Sequence, residues 1–149
     1  MLEYISEQLE WIRPYLVDVE HLVPVKNLRR ITAKKPRKDF TQNQLCHGII
    51  TRYARYKKYF KITLYTYFID VTKIHPEVHM RLRPYSKIDT LCFLAHELSH
   101  MVHWDHTPQH KSLEAELTHL FMIRLRASGY VSEEEEGEQS WIQHCRQNK

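Results

Sequence analysis

Residues 96 to 100 read His-Glu-Leu-Ser-His, and another histidine, His106, follows six positions later. Histidines four apart share a helical face, so their imidazoles converge on one ion only if this stretch is a helix. A ligand beyond the helix end must come from chain that has turned back. The motif therefore demands a rigid helix, a tight reversal and a second element packed across it. The flanking sequence supplies all three. Ser86, with Asp89 three residues on, can cap a helix in the S-x-x-D manner. Ile88, Leu91, Cys92, Ala95, Leu98, Ser99 and Val102 then mark its packed face. Thr107-Pro108 is a cap followed by proline at the first helical position. The helix it opens carries Leu113, Leu117, Leu120, Phe121 and Arg124 towards Gly129.

Neutral imidazole suits Zn²⁺, which it binds at about 2.0–2.1 Å, so His96 and His100 are expected metal ligands. Glu97 sits beside them, where its carboxylate can take a proton from an activated water and pass it to a leaving amine. The bland alternative is a pair of solvated surface histidines, but the capped, amphipathic setting argues for a metal. A catalytic zinc takes three protein ligands and keeps one position open. Candidates for the third are His106, His110, Glu114 and Glu116; His106 is favoured because it stands where the chain must bend. His103 reads more readily as a helix-end histidine, and Trp104 as core beneath the turn. Asp105 is placed either to hold a ligand imidazole or to cap the next helix.

The rest of the chain reads as one α+β domain. Leu2, Ile5, Leu9 and Ile12 have helical spacing up to Pro14, and a second short helix can run on to Pro24. The basic stretch from Lys26 to Asp39 reads as a loop or exposed strand margin. Lys61 to Ile69 is rich in β-branched and aromatic residues and reads as a strand. After a turn near His75-Pro76, Val78, Met80 and Leu82 alternate with His79, Arg81 and Arg83, the pattern of a half-exposed edge strand. The domain is expected over residues 1–131, with 132–149 an acidic tail carrying Trp141, Ile142 and Cys145.

Charge is unevenly placed. From Lys26 to Lys61 there are twelve Lys or Arg and one acid, Asp39, within a chain of net charge +4. Between Arg52 and Phe60 the cations interleave with tyrosines, a composition that tracks phosphates and stacks unpaired bases. The same pattern also describes an ordinary strand with one wet face. DNA through this region is therefore an expected partner. No run of about 18 apolar residues is present, and the N-terminus lacks the basic-then-apolar order of a secretion signal. Cys46, Cys92 and Cys145 are odd in number and far apart, which suits a reducing cytoplasm. Three glycines in 149 residues leave no phosphate-cradling loop.

The segment LAHELSHMVHWDHTPQHKSLEAEL, residues 94 to 117, resembles the active-site segment of the SprT-like and YgjP-like zinc metallopeptidases. The WLM proteases, related to the Spartan group that degrades DNA–protein crosslinks, share its layout. The resemblance implies a minimal zincin with a small twisted, mostly antiparallel sheet packed on an N-terminal helix and the HExxH helix. It implies His96, His100 and His106 as zinc ligands, Glu97 as general base and hydrolysis of peptide bonds. Within that frame Val78 to Arg83 is expected to be the edge strand beside the cleft, where an extended peptide adds as a further strand. The second donor for the oxyanion is sought among Tyr85, Arg83 and His103, with Tyr85 preferred. Two departures stand out: no CxxC of the zinc ribbon found in many SprT-like proteins, and no glycine from Met101 to Asp105. A different class of function remains open, a nucleic-acid-binding module around a structural zinc. So does a narrow protease cutting one regulatory protein.

Overall fold

In the computed structural model, which describes residues 2–36, 47–56, 58–74 and 76–129, the N-terminal amphipathic stretch divides in three. Tyr4–Ile5 is a short strand, β1, and Glu7–Ile12 a 3₁₀ helix, before α1 over Arg13–Asp18. Pro14 opens α1 instead of stopping a helix, since a first-turn proline has no intrahelical bond to lose. Leu9 and Ile12 still reach the core, because spacings of three serve a 3₁₀ helix as well as an α-helix.

The basic stretch expected to be loop or margin contains an interior strand, β2 (Leu28–Lys34). Its Leu28 and Ile31 are fully buried, while the cations lie between them. β3 (Gly48–Arg52) and β4 (Phe60–Tyr65) complete a four-stranded sheet of order β1-β2-β4-β3. The β1/β2 and β2/β4 pairs are parallel and only β3/β4 is antiparallel, so this sheet is mixed, not mostly antiparallel. Ser6 ends β1 by accepting the Ala33 N–H on its hydroxyl at 2.9 Å.

Thr66 interrupts the long apolar run, and β5 (Tyr67–Ile74) pairs with β6 (Glu77–Pro84) as a separate antiparallel ribbon. The alternation at Val78, Met80 and Leu82 does mark a strand. All three side chains are exposed, however, and among the described residues β6 pairs with β5 alone. The edge turned to the site is β3.

Both capping expectations hold. Ser86 Oγ accepts the Asp89 N–H at 3.0 Å and starts α2 (Lys87–Ser99). Thr107 Oγ1 accepts the His110 N–H at 3.2 Å and starts α3 (Pro108–Ala127). Gly129 follows with φ +86°, the left-handed conformation that ends helices and that glycine adopts without strain. Leu91, Leu94 and Leu98 of α2 and Leu117 and Phe121 of α3 are fully buried with Leu28, Ile31, Ile62 and Leu64 of the sheet. The result is a small α+β domain with α2 packed between sheet and α3. Among the described residues no helix is long and apolar enough to cross a membrane. The expected acidic tail, 132–149, and Cys46 and Cys145 lie outside the described residues.

Candidate metal centre

Helix α2 ends at the motif. His96 lies in its last turn and His100 is its C-cap, with Nδ1–H of His100 donating to the Trp104 carbonyl at 2.7 Å. The His96 Nδ1–H donates to the Glu114 carboxylate, which α3 brings across. A neutral imidazole that donates through Nδ1 carries its lone pair on Nε2. Both Nε2 atoms face each other at 3.2 Å with no proton between them to share. Tetrahedral coordination at about 2.05 Å separates two nitrogens by about 3.3 Å, so the pair is spaced for an ion.

The reversal after α2 brings His106 to the same point. Its Nε2 lies 3.2 Å from that of His96, and its ring centroid 4.7 Å from that of His100. His106 is exposed, whereas His100 is buried and His110 is only 1% exposed. His96, His100 and His110 each offer a nitrogen within 4.8 Å of the others, close enough to hold a metal ion. Nε2 of His110, however, lies 3.1 Å from the His96 carbonyl oxygen and donates to it, pinning α3 onto α2. Burial pushes the imidazoles of His100 and His110 below the usual histidine range, as do neighbouring histidines. Both effects favour the neutral form that a metal needs.

Glu97 is buried at 6% exposure on the face of α2 turned to β3. A Cβ on Gly48 would fall 3.2 Å from Glu97 Cγ and 3.1 Å from the Thr63 carbonyl oxygen. Any side chain here would require the strand or the Glu97 side chain to give by a few tenths of an ångström. Gly48, Ile50 and Arg52 pair with Leu64, Ile62 and Phe60 and share the inward face.

Tyr85 follows β6 directly and is buried at 9% exposure. Its ring packs on Phe93 at 4.8 Å and Phe68 at 5.1 Å, with His47 at 6.2 Å, one helical turn before the motif. Arg83 pairs with Asp70 at 2.6 Å on the ribbon. Trp104 is not core: it is 44% exposed, with the Arg52 guanidinium 4.7 Å over its ring. Thr107, not Asp105, caps α3, and Glu114 and the Trp104 carbonyl take the imidazole-holding role considered for Asp105.

Sequence reasoning missed the part played by β3 and the carbonyl bond of His110. A glycine inside a strand pattern is the signal that would have found the first. The positions of His110 and Glu114, one helical turn apart, would have found the second. No family model, curated protein or solved structure matches the chain.

Proposed function

We propose that the protein is a zinc-dependent metallopeptidase in which His96, His100 and His106 hold the ion and Glu97 is the general base. The approach of His100 Nε2 and His106 Nε2 to 3.2 Å from His96 Nε2 carries this reading, because His96 and His100 have their Nδ1 protons committed elsewhere. A ligand set of imidazole nitrogens suits zinc better than calcium or magnesium, which prefer oxygen. Zinc supplies Lewis acidity to a substrate carbonyl and to water.

The remaining work falls to the chain. Glu114 and the Trp104 carbonyl fix the ligand rings, so the ligand nitrogens need not reorganise during the reaction. Burial between α2 and β3 holds Glu97 at one place, from which it accepts a proton from the attacking water and returns it to the leaving amine. Among the described residues strand β3 is the outer strand of its sheet, so an extended peptide can pair along it and present a carbonyl next to Glu97. The odd number and wide spacing of the cysteines, with Cys92 buried, fit a reducing compartment such as the cytoplasm.

A second reading is a nucleic-acid-binding module built on a structural zinc, and the outward surface near the β3–β4 connection favours it. Arg29 lies 3.9 Å over the Tyr59 ring, Lys58 5.0 Å over the same ring and Lys61 5.7 Å over Tyr53. Combined with peptidase activity, such a surface would bring the enzyme to DNA-associated proteins or DNA–protein crosslinks.

Metal analysis of wild type and Glu97→Gln, each assayed on casein, tests the main reading. One zinc per chain in both, with cleavage by wild type alone, is the expected result. Zinc in both with no cleavage by either turns the assignment to the binding module, and failure to take up zinc overturns both.

A further inference from the structure

Arg52 ends β3 on its inward face, the same face as Gly48, four residues further along the strand. Its guanidinium is stacked 4.7 Å from the Trp104 ring and 5.5 Å from Phe60. Stacking fixes the plane of the guanidinium and leaves its N–H edges pointing away from the rings. Among the described residues no carboxylate pairs with it, although Arg13, Arg83 and Arg124 each have one. Together with Tyr53, Ala54 and Trp104 it lines an open concavity. Trp104 also accepts the His100 hydrogen bond, so this concavity adjoins the metal centre. From His47 to Ile69 the sequence carries five cations and no Asp or Glu.

We propose that Arg52, braced on Trp104, is a specificity subsite that takes an acidic side chain of a peptide substrate. The inference rests on the peptidase reading above. A peptide paired along β3 has its reacting bond beside Glu97, near Gly48. Strands rise about 3.3 Å per residue, so the Arg52 guanidinium belongs to a substrate residue roughly four positions from that bond. A carboxylate there meets the fork of a pre-oriented guanidinium in the bidentate geometry that favours arginine over lysine. The inward position separates Arg52 from Lys61, which lies on the outward face opposite Thr51. Tyr53 borders both this concavity and the Lys61 side, so competition with oligothymidylate decides between peptide and nucleic acid.

The test uses synthetic peptides in which one Glu, or one Gln, is moved position by position through an otherwise uncharged sequence. Zinc-loaded wild type is expected to cut the Glu peptides about tenfold more efficiently in kcat/KM, a step of about 1.4 kcal/mol, only when Glu lies three to five residues from the cut. Arg52→Gln should erase the difference and Arg52→Glu should transfer it to Lys, with zinc content unchanged in both. Cleavage equally efficient at every Glu position overturns the subsite and leaves the peptidase standing. Labelled Glu peptides are also titrated onto zinc-loaded Glu97→Gln protein, with oligothymidylate as competitor. Arg52-dependent peptide binding without any cleavage by wild type overturns the peptidase reading and leaves an acidic-peptide site. Absence of both cleavage and Arg52-dependent binding overturns both. Arg52-dependent binding of oligothymidylate that displaces the peptide assigns the concavity to nucleic acid and overturns the proposal.

Discussion

Glu114 touches no substrate in this reading, yet it decides which nitrogen of His96 faces the ion. Removing such a carboxylate partner typically weakens metal affinity 10–100-fold. Glu114→Gln keeps an acceptor oxygen but loses the charge, so zinc affinity should fall by roughly tenfold, with a larger fall for Glu114→Ala. Competition against a chromophoric chelator measures both, independently of turnover. Equal affinity in all three proteins would mean that the His96 orientation is held by the His110 bond to its carbonyl instead. Tyr85 gives the opposite expectation. An oxyanion donor is worth about 10²–10³ in kcat. Tyr85→Phe keeps the packing on Phe93 and Phe68 and removes only the hydroxyl, so an oxyanion donor here should lose about 10²-fold in kcat with zinc content intact, while Tyr85→Ala also destabilises the domain. A kcat within a few-fold of wild type in Tyr85→Phe would overturn the oxyanion role.

At the scale of elements, Gly48 joins strand β3 to helix α2. A methyl at this position meets the Thr63 carbonyl and Leu64 Cδ2 at 3.1 Å and Glu97 Cγ at 3.2 Å, so strand or side chain must shift by tenths of an ångström. Small displacements of a catalytic group are costly in rate, by up to about 10²-fold for 1 Å. Gly48→Ala should therefore lower kcat by roughly tenfold with zinc affinity unchanged, since the three histidines lie on other elements. Assaying both quantities separates this from general destabilisation, which would lower them together. Helices α2 and α3 were legible from sequence because their signals are local, whereas the N-terminal helix was not, its three-residue spacings serving a 3₁₀ helix as well. Ser86 and Thr107 cap where the residue types say they should, and the H-E-x-x-H spacing needs nothing beyond its own helix. The strands were less legible. Leu28 and Ile31 are spaced three apart among cations, so β2 lacks the clean alternation of a one-sided strand. A bulge between Leu28 and Arg30 explains the offset. Val78, Met80 and Leu82 alternate cleanly and still lie outside the main sheet, because period shows that a strand exists and not which strand it joins. The edge strand at the site begins with glycine and is only five residues long, which left its role to be decided by tertiary pairing.

Across the whole molecule, α3 is held at both ends, and the two ends respond to different conditions. Near its start, His110 and Glu114 bind it to α2 at the candidate metal centre. Near its finish, Arg124 pairs with Asp18 at the end of α1, with Nη2 2.9 Å from Oδ1. The Arg124 hydrogen bond lowers the Asp18 carboxyl below its ordinary value, against a smaller desolvation effect, and the Arg124 charge adds to the lowering. The sign follows from proton binding. Between the lowered folded value and the ordinary unfolded one, the unfolded chain binds more protons, so stability rises with pH through that window. The contribution is therefore complete at neutral pH, begins to fade as pH drops below the ordinary aspartate range, and is gone below the folded value. Thermal melts of the metal-free protein from pH 7 to pH 2 should show a steeper acid loss for wild type than for Arg124→Gln, which has no such pair to lose. The melting temperatures should differ most at neutral pH and converge at the acid end. Metal-free protein is required, because acid would also protonate the proposed histidine ligands and add the loss of any bound metal to the same curve. Parallel curves for the two proteins would show that the α1–α3 clamp is exchanged for water at no cost, as many surface ion pairs are.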